Sequence, residues 1–129
     1  MSTRVLIVDD DPLILRAISK VLARGGFDAA TASDALPALE YAASHRPDIV
    51  VVDFNMPTCG LEVVRKLKAS FGDGIFVAVL TGEDSEQMRA QCLAAGADAV
   101  LIKPISPSEL QRRLTAAALA LKTQLFAAS

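Results

Sequence analysis

The chain has 129 residues, which is one ordinary domain and not two. Thirteen basic against fifteen acidic residues leave a formal charge of −2, and no Lys/Arg cluster offers a footprint for nucleic acid. The longest charge-free run, Gly74 to Gly82, is too short to span a bilayer, no secretory leader is read, and Cys59 and Cys92 make neither a disulfide framework nor a metal knot, so a cytoplasmic location with no membrane contact is expected.

Val5-Leu6-Ile7-Val8 is the first apolar run of strand length. It shows no period-2 alternation, which is how a strand covered on both faces reads. Asp11 before Pro12 reads as a helix N-cap. Ile14, Ala17, Ile18, Val21 and Leu22 then share one helical face, and Gly25-Gly26 stops that first helix. Phe27 to Ala32 is a weaker strand with Asp28 and small residues, expected at a sheet edge. Asp34 caps a second helix that carries Pro37 in its first turn and Leu39, Ala42 and Ala43 beyond. His45, the single histidine, falls near its end, a surface or helix-dipole position.

Ile49-Val50-Val51-Val52 is a β-branched third strand ending in Asp53. Leu61, Val64, Leu67 and Phe71 mark a third helix. Ile75 to Leu80 is the fourth strand, followed by Thr81. Met88, Cys92 and Ala95 mark a fourth helix closed by Gly96, with Met88 and Cys92 read as packing residues. Ala99 to Ile102 is the fifth strand, followed by Lys103-Pro104. Ser106-Pro107-Ser108-Glu109 is a capping box that opens a fifth helix. Its stripe of Leu114, Ala117, Ala118, Leu121 and Leu125 reads either as a long final helix or as a signalling helix or dimer contact.

Five alternations of strand and helix build a parallel sheet with helices on both faces. With the weak second strand outside and strands one, three and four inside, the expected order is 2-1-3-4-5, a flavodoxin-like (βα)5 three-layer α/β sandwich. The domain is read as residues 1–122, with 123–129 a helical extension or the start of a linker.

In such sheets the site forms outside the carboxyl ends of the strands. Asp9, Asp10 and Asp11 follow strand one, and Asp53 ends strand three. Neighbouring strands one and three bring carboxylates together, and these repel unless a cation joins them. Oxygen ligands favour a hard ion, Mg²⁺ before Ca²⁺. Lys103 adds a positive charge and Thr81 a hydroxyl, and together these are the parts that phosphoryl transfer needs. No glycine-rich phosphate loop is present, so the site is built for one phosphoryl group and not a nucleotide.

Val8-Asp9-Asp10, Asp53 with Met56-Pro57, Thr81-Gly82, and Gly96-Ala97-Asp98 with Lys103-Pro104 resemble the receiver domain of two-component response regulators, of the chemotaxis-regulator type. The resemblance covers residues 4 to about 122. It implies that Asp53 accepts a phosphoryl group from a histidine kinase or phosphotransfer protein. It implies Mg²⁺ on Asp9, Asp10, Asp53 and the backbone carbonyl of Asn55. Lys103 would pair with a phosphoryl oxygen, across a cis bond to Pro104. Thr81 would turn inward and repack the face made by helix four, strand five and helix five. Asn55 and Glu83 would flank the hydrolytic water and tune the lifetime of the product.

Three departures stand out. Gly60 comes one residue early after Met56-Pro57, and Val100 stands where the family has an aromatic residue, which changes how the switch face responds. No helix-turn-helix or other output unit lies within these residues, so output passes through protein contacts or a domain beyond this chain, with self-association through helices four and five a further expectation. Two alternatives stay open. One is a pseudo-receiver that binds without being phosphorylated. The other is a phosphatase resembling the haloacid dehalogenase superfamily, using Asp9 and Asp11.

Overall fold

A computed structural model describes residues 2–57 and 60–128, with side chains as far as residue 123. Cys59 and the side chain of Leu125 therefore lie outside the described residues. Five parallel strands form one sheet: β1 (Arg4–Val8), β2 (Asp28–Ala32), β3 (Ile49–Asp53), β4 (Phe76–Thr81) and β5 (Ala99–Ile102). Their order is β2-β1-β3-β4-β5, as expected. Five helices connect or follow them: α1 (Pro12–Arg24), α2 (Ala35–His45), α3 (Gly60–Phe71), α4 (Glu86–Ala94) and α5 (Pro107–Ala128).

Burial explains the order. Every residue of β3 is buried, whereas β2 has a single buried residue, Ala32. A strand with a full set of β-branched side chains removes most apolar area in the middle of the sheet, and one with Asp28 and alanines loses least at the edge. Successive strand residues point to opposite faces. Leu6, Val8, Val50, Val52, Val77 and Val79 pack under α2, α3 and α4. Val5, Ile7, Ile49, Val51, Ala78 and Leu80 pack under α1 and α5. Truncating a buried Leu or Ile of this set to alanine costs about 2–5 kcal/mol.

The helix ends follow local chemistry. The Asp11 carboxylate accepts the Leu13 N–H at 2.9 Å, and Pro12 opens α1. The Asp34 carboxylate caps α2 through Ala35 N–H, and Pro37 sits in the first turn. His45 closes α2 and stacks on Tyr41. The Ser106 side of the capping box forms, with Glu109 N–H on its hydroxyl at 3.1 Å. The reciprocal half does not, because the Glu109 carboxylate is taken by Arg112 and Arg113. Smaller differences lie at element ends. Phe27 and Ile75 precede their strands, Thr81 is the last residue of β4, and Ala95 is the cap of α4 and not part of it.

Candidate functional site

The carboxyl ends of β1, β3, β4 and β5 meet at one edge of the sheet. Register puts Val8 beside Val52, Asp53 beside Leu80, and Thr81 beside Ile102. The residues that follow each strand therefore converge. Asp9, Asp10 and Asp53 each bring a carboxylate oxygen within 4.8 Å of the others. Asp9 and Asp53 are buried and Asp10 is exposed. Lys103 Nζ donates to Asp53 Oδ1 at 2.8 Å, and the Asn55 N–H donates to the same oxygen at 3.3 Å. Thr81 is buried, and its hydroxyl oxygen accepts the Glu83 N–H at 3.1 Å. The bond between Lys103 and Pro104 is cis, as the resemblance implied.

Asp11, the remaining acid of the run, stands apart from the cluster as a helix cap. Its backbone N–H nevertheless serves the site by donating to Asp9 Oδ1 at 2.9 Å. The other Asp9 oxygen, Oδ2, is buried without a hydrogen-bond partner among the described residues. Burial holds the Asp9 carboxyl above the ordinary carboxylate range; the Asp11 N–H pulls it down and the Asp53 charge pushes it up. A buried, unpaired carboxylate oxygen on a member of a three-carboxylate cluster is costly, and a cation bound there would offset that cost. The all-oxygen donor set fits a hard cation of the Mg²⁺ class.

One contributor was legible only as a spacing anomaly. A Cβ built on Gly60 would lie 2.6 Å from the Asp53 carbonyl oxygen and 3.2 Å from Phe54 Cα. The early glycine thus lets the first residue of α3 press against the backbone that carries Asp53, an approach no side chain permits. Val100, in β5 opposite Val79, is partly buried against the cluster under α2, α3 and α4. Beside Lys103 an open hollow of about 450 Å³ is lined by Ile14, Ala17, Ile18, Leu80, Pro104 and Ile105.

The family model for the response regulator receiver domain matches residues 5–115. This chain belongs to that family. Its residues are 43% identical to the response regulator MprA of Mycobacterium ulcerans over 117 residues, covering 90% of this chain and 50% of that protein. It thus spans about half the length of the curated relatives it matches. Among solved structures, the Vibrio cholerae chemotaxis protein CheY4 superposes with a TM-score of 0.84 at 32% identity, covering 89% of this chain and 98% of that one. A CheY-like receiver domain protein from Methanospirillum hungatei superposes at 0.89 with 26% identity, covering 96% and 99%. The receiver fold and the two-component class therefore rest on sequence and structure together. No described helix of the receiver is long and apolar enough to cross a membrane.

Proposed function

We propose that this receiver accepts a phosphoryl group on Asp53 from a phosphohistidine of a sensor kinase or phosphotransfer protein. The observation that carries the reading is the contact of Lys103 with Asp53 inside a three-carboxylate cluster that holds an unpartnered buried oxygen. Asp9, Asp10, Asp53 and the Asn55 carbonyl would hold Mg²⁺. Bound there, Mg²⁺ would neutralise charge on the oxygens of the transferring group.

The remaining work falls to side chains. Lys103 orients Asp53 before reaction and takes a phosphoryl oxygen afterwards. An Asp53 carboxylate oxygen attacks phosphorus in line; the P–N bond to a donor imidazole protonated on its other nitrogen breaks as the P–O bond forms, giving an acyl phosphate and neutral histidine. The Thr81 hydroxyl turns to donate to the new phosphoryl group. Asn55 and Glu83 flank the water that later hydrolyses the acyl phosphate, so the phosphorylated state is short-lived, and a half-life of hours would contradict that. The domain catalyses its own phosphorylation and dephosphorylation only, as a signalling module.

The apolar hollow between α1 and the Lys103–Ile105 segment offers the donor protein a seat next to the reacting atoms. Output leaves through the face of α4, β5 and α5, where Leu93 is exposed and Val100 half-buried, either to a partner protein, to a second copy or to a further domain. We read residues 1–122 as the receiver unit, the final turns of α5 as an extension, and the cytoplasm as its compartment. A phosphatase of the Asp-x-Asp type needs Asp11 at the reacting centre, whereas its carboxylate caps α1.

The test is intact mass after treatment with acetyl phosphate and Mg²⁺. A single phosphoryl adduct in the wild type, absent in Asp53→Asn and abolished by EDTA, is the expected result. A folded protein that takes no adduct would be a binding module instead.

A further inference from the structure

A hydrogen-bonded path leaves the site through the connection between β4 and α4. Glu83 N–H donates to the Thr81 hydroxyl oxygen at 3.1 Å. The Glu83 carboxylate accepts the Ser85 hydroxyl at 2.9 Å. The Ser85 oxygen in turn accepts the Met88 N–H at 3.1 Å, which makes Ser85 the N-cap of α4. Three bonds thus run from a site hydroxyl to the first turn of a helix. Ser85 holds two of them because a hydroxyl donates and accepts at once. An Asp or Asn cap accepts the helix N–H equally well, yet a carboxylate has no proton for Glu83.

The helix at the end of this path is the one most dependent on its cap. At nine residues α4 is the shortest of the five α-helices, and it buries only Met88 and Cys92. A helix of that length has little stability of its own. Its second tether, Arg89 to Asp84 at 3.1 Å, is exposed and contributes little.

We propose that Ser85 is the positioning residue through which the state of Thr81 reaches helix α4. The inference rests on the phosphoacceptor reading of Asp53. A staggered side chain has discrete positions for its hydroxyl, so a Thr81 turned toward a phosphoryl group leaves the Glu83 N–H without its acceptor. The Glu83 segment then shifts, its carboxylate draws the bonded Ser85 hydroxyl with it, and the Met88 N–H loses its cap. Phosphorylation loosens the first turn of α4, which borders Val100 and the exposed Leu93.

Amide hydrogen exchange resolved at single residues tests this, with adduct occupancy read by intact mass on the same samples. In the wild type with acetyl phosphate and Mg²⁺, exchange at Glu83 and at Met88 is expected to rise, the latter by about fivefold, the factor for losing one N-cap. In Glu83→Ala the backbone link to Thr81 and the Ser85 cap both remain while the link between them is cut. Residue 83 should still respond to phosphorylation and Met88 should not. Ser85→Asp keeps the cap without a donor for Glu83, so Met88 should stay protected in both states. Ser85→Ala should exchange fast at Met88 in both. A Met88 response in Glu83→Ala equal to that of the wild type, or no Met88 response in fully phosphorylated wild type, overturns the proposal. Absence of the adduct itself sinks the phosphoacceptor reading, and this inference with it.

Discussion

Two lysine–aspartate pairs sit at opposite ends of the same sheet, and they are built to different ends. Beneath the amino ends of β4 and β5, Lys68 Nζ meets Asp98 Oδ2 at 2.6 Å and also donates to the carbonyls of Ile75 and Gly72. That Asp98 oxygen also accepts the Val77 N–H at 2.8 Å. All three ammonium protons have acceptors, and the pair clamps α3 to the sheet. At the carboxyl ends, Lys103 Nζ meets Asp53 Oδ1 at 2.8 Å, and among the described residues that is its one partner. Asp53 shares its neighbourhood with two more carboxylates, one of which keeps an unpartnered oxygen. The first lysine has its hydrogen-bonding capacity filled, whereas the second end keeps capacity unused among the described residues.

The largest effect should come from exchanging the lysines. Lys103→Met should slow phosphorylation by acetyl phosphate about a hundredfold, the scale for removing one preorganised cationic donor, while its melting temperature with Mg²⁺ present changes little. Lys68→Met should do the reverse: a loss of about 2 kcal/mol, or roughly 6 °C in thermal unfolding, with phosphorylation intact. If both variants lost the two properties together, the division between the ends would collapse.

Gly60→Ala sharpens the contrast from the backbone side. Its Cβ would press on the Asp53 carbonyl, so folding stability should fall by about 1.5 kcal/mol or more and the phosphorylation rate should fall as well. Asp9→Asn should raise the metal-free stability by an amount on the order of 1 kcal/mol, read as a higher melting temperature, because a buried charge with an orphan oxygen is removed. The same variant should lose the stabilisation that Mg²⁺ gives the wild type, seen as a Mg²⁺-independent thermal scan.

The smallest effect belongs to a third, surface cluster. Arg112 and Arg113 hold the exposed Glu109 carboxyl down to about 2. A depressed carboxyl contributes above its ordinary value of 4.5, and that contribution fades as pH falls toward 2. Solvent screens so open a cluster, so Glu109→Gln should shift the melting temperature at pH 7 by no more than about 1–2 °C. A larger shift would mean that the box at the start of α5 carries more than its exposure allows.

Legibility differed between the two ends for a physical reason. Asp9, Asp10, Asp53, Thr81 and Lys103 could be found because each lies at or just past the carboxyl end of a strand, and parallel strands in the order 2-1-3-4-5 bring those positions together. Lys68 and Asp98 gave no such signal, since one is a surface-type residue in a helix and the other a turn residue. Their pairing depends on how α3 lies across the sheet. Ser85 was legible in principle, as a serine immediately ahead of an acidic first turn, but its bond to Glu83 was not.

Taken alone, the sequence determined the elements, their order in the sheet and the chemical inventory at the strand ends. Apolar periodicity, caps and β-branched runs are local properties, and the parallel alternation leaves few topologies. Tertiary structure decided which partners those groups keep. It left Asp9 Oδ2 unpartnered, pressed Gly60 against the Asp53 carbonyl, closed Lys68 on Asp98 and strung Thr81, Glu83 and Ser85 together. Such outcomes depend on distances of a few tenths of an ångström and on the path each loop takes, which the packing of the helices on the sheet sets.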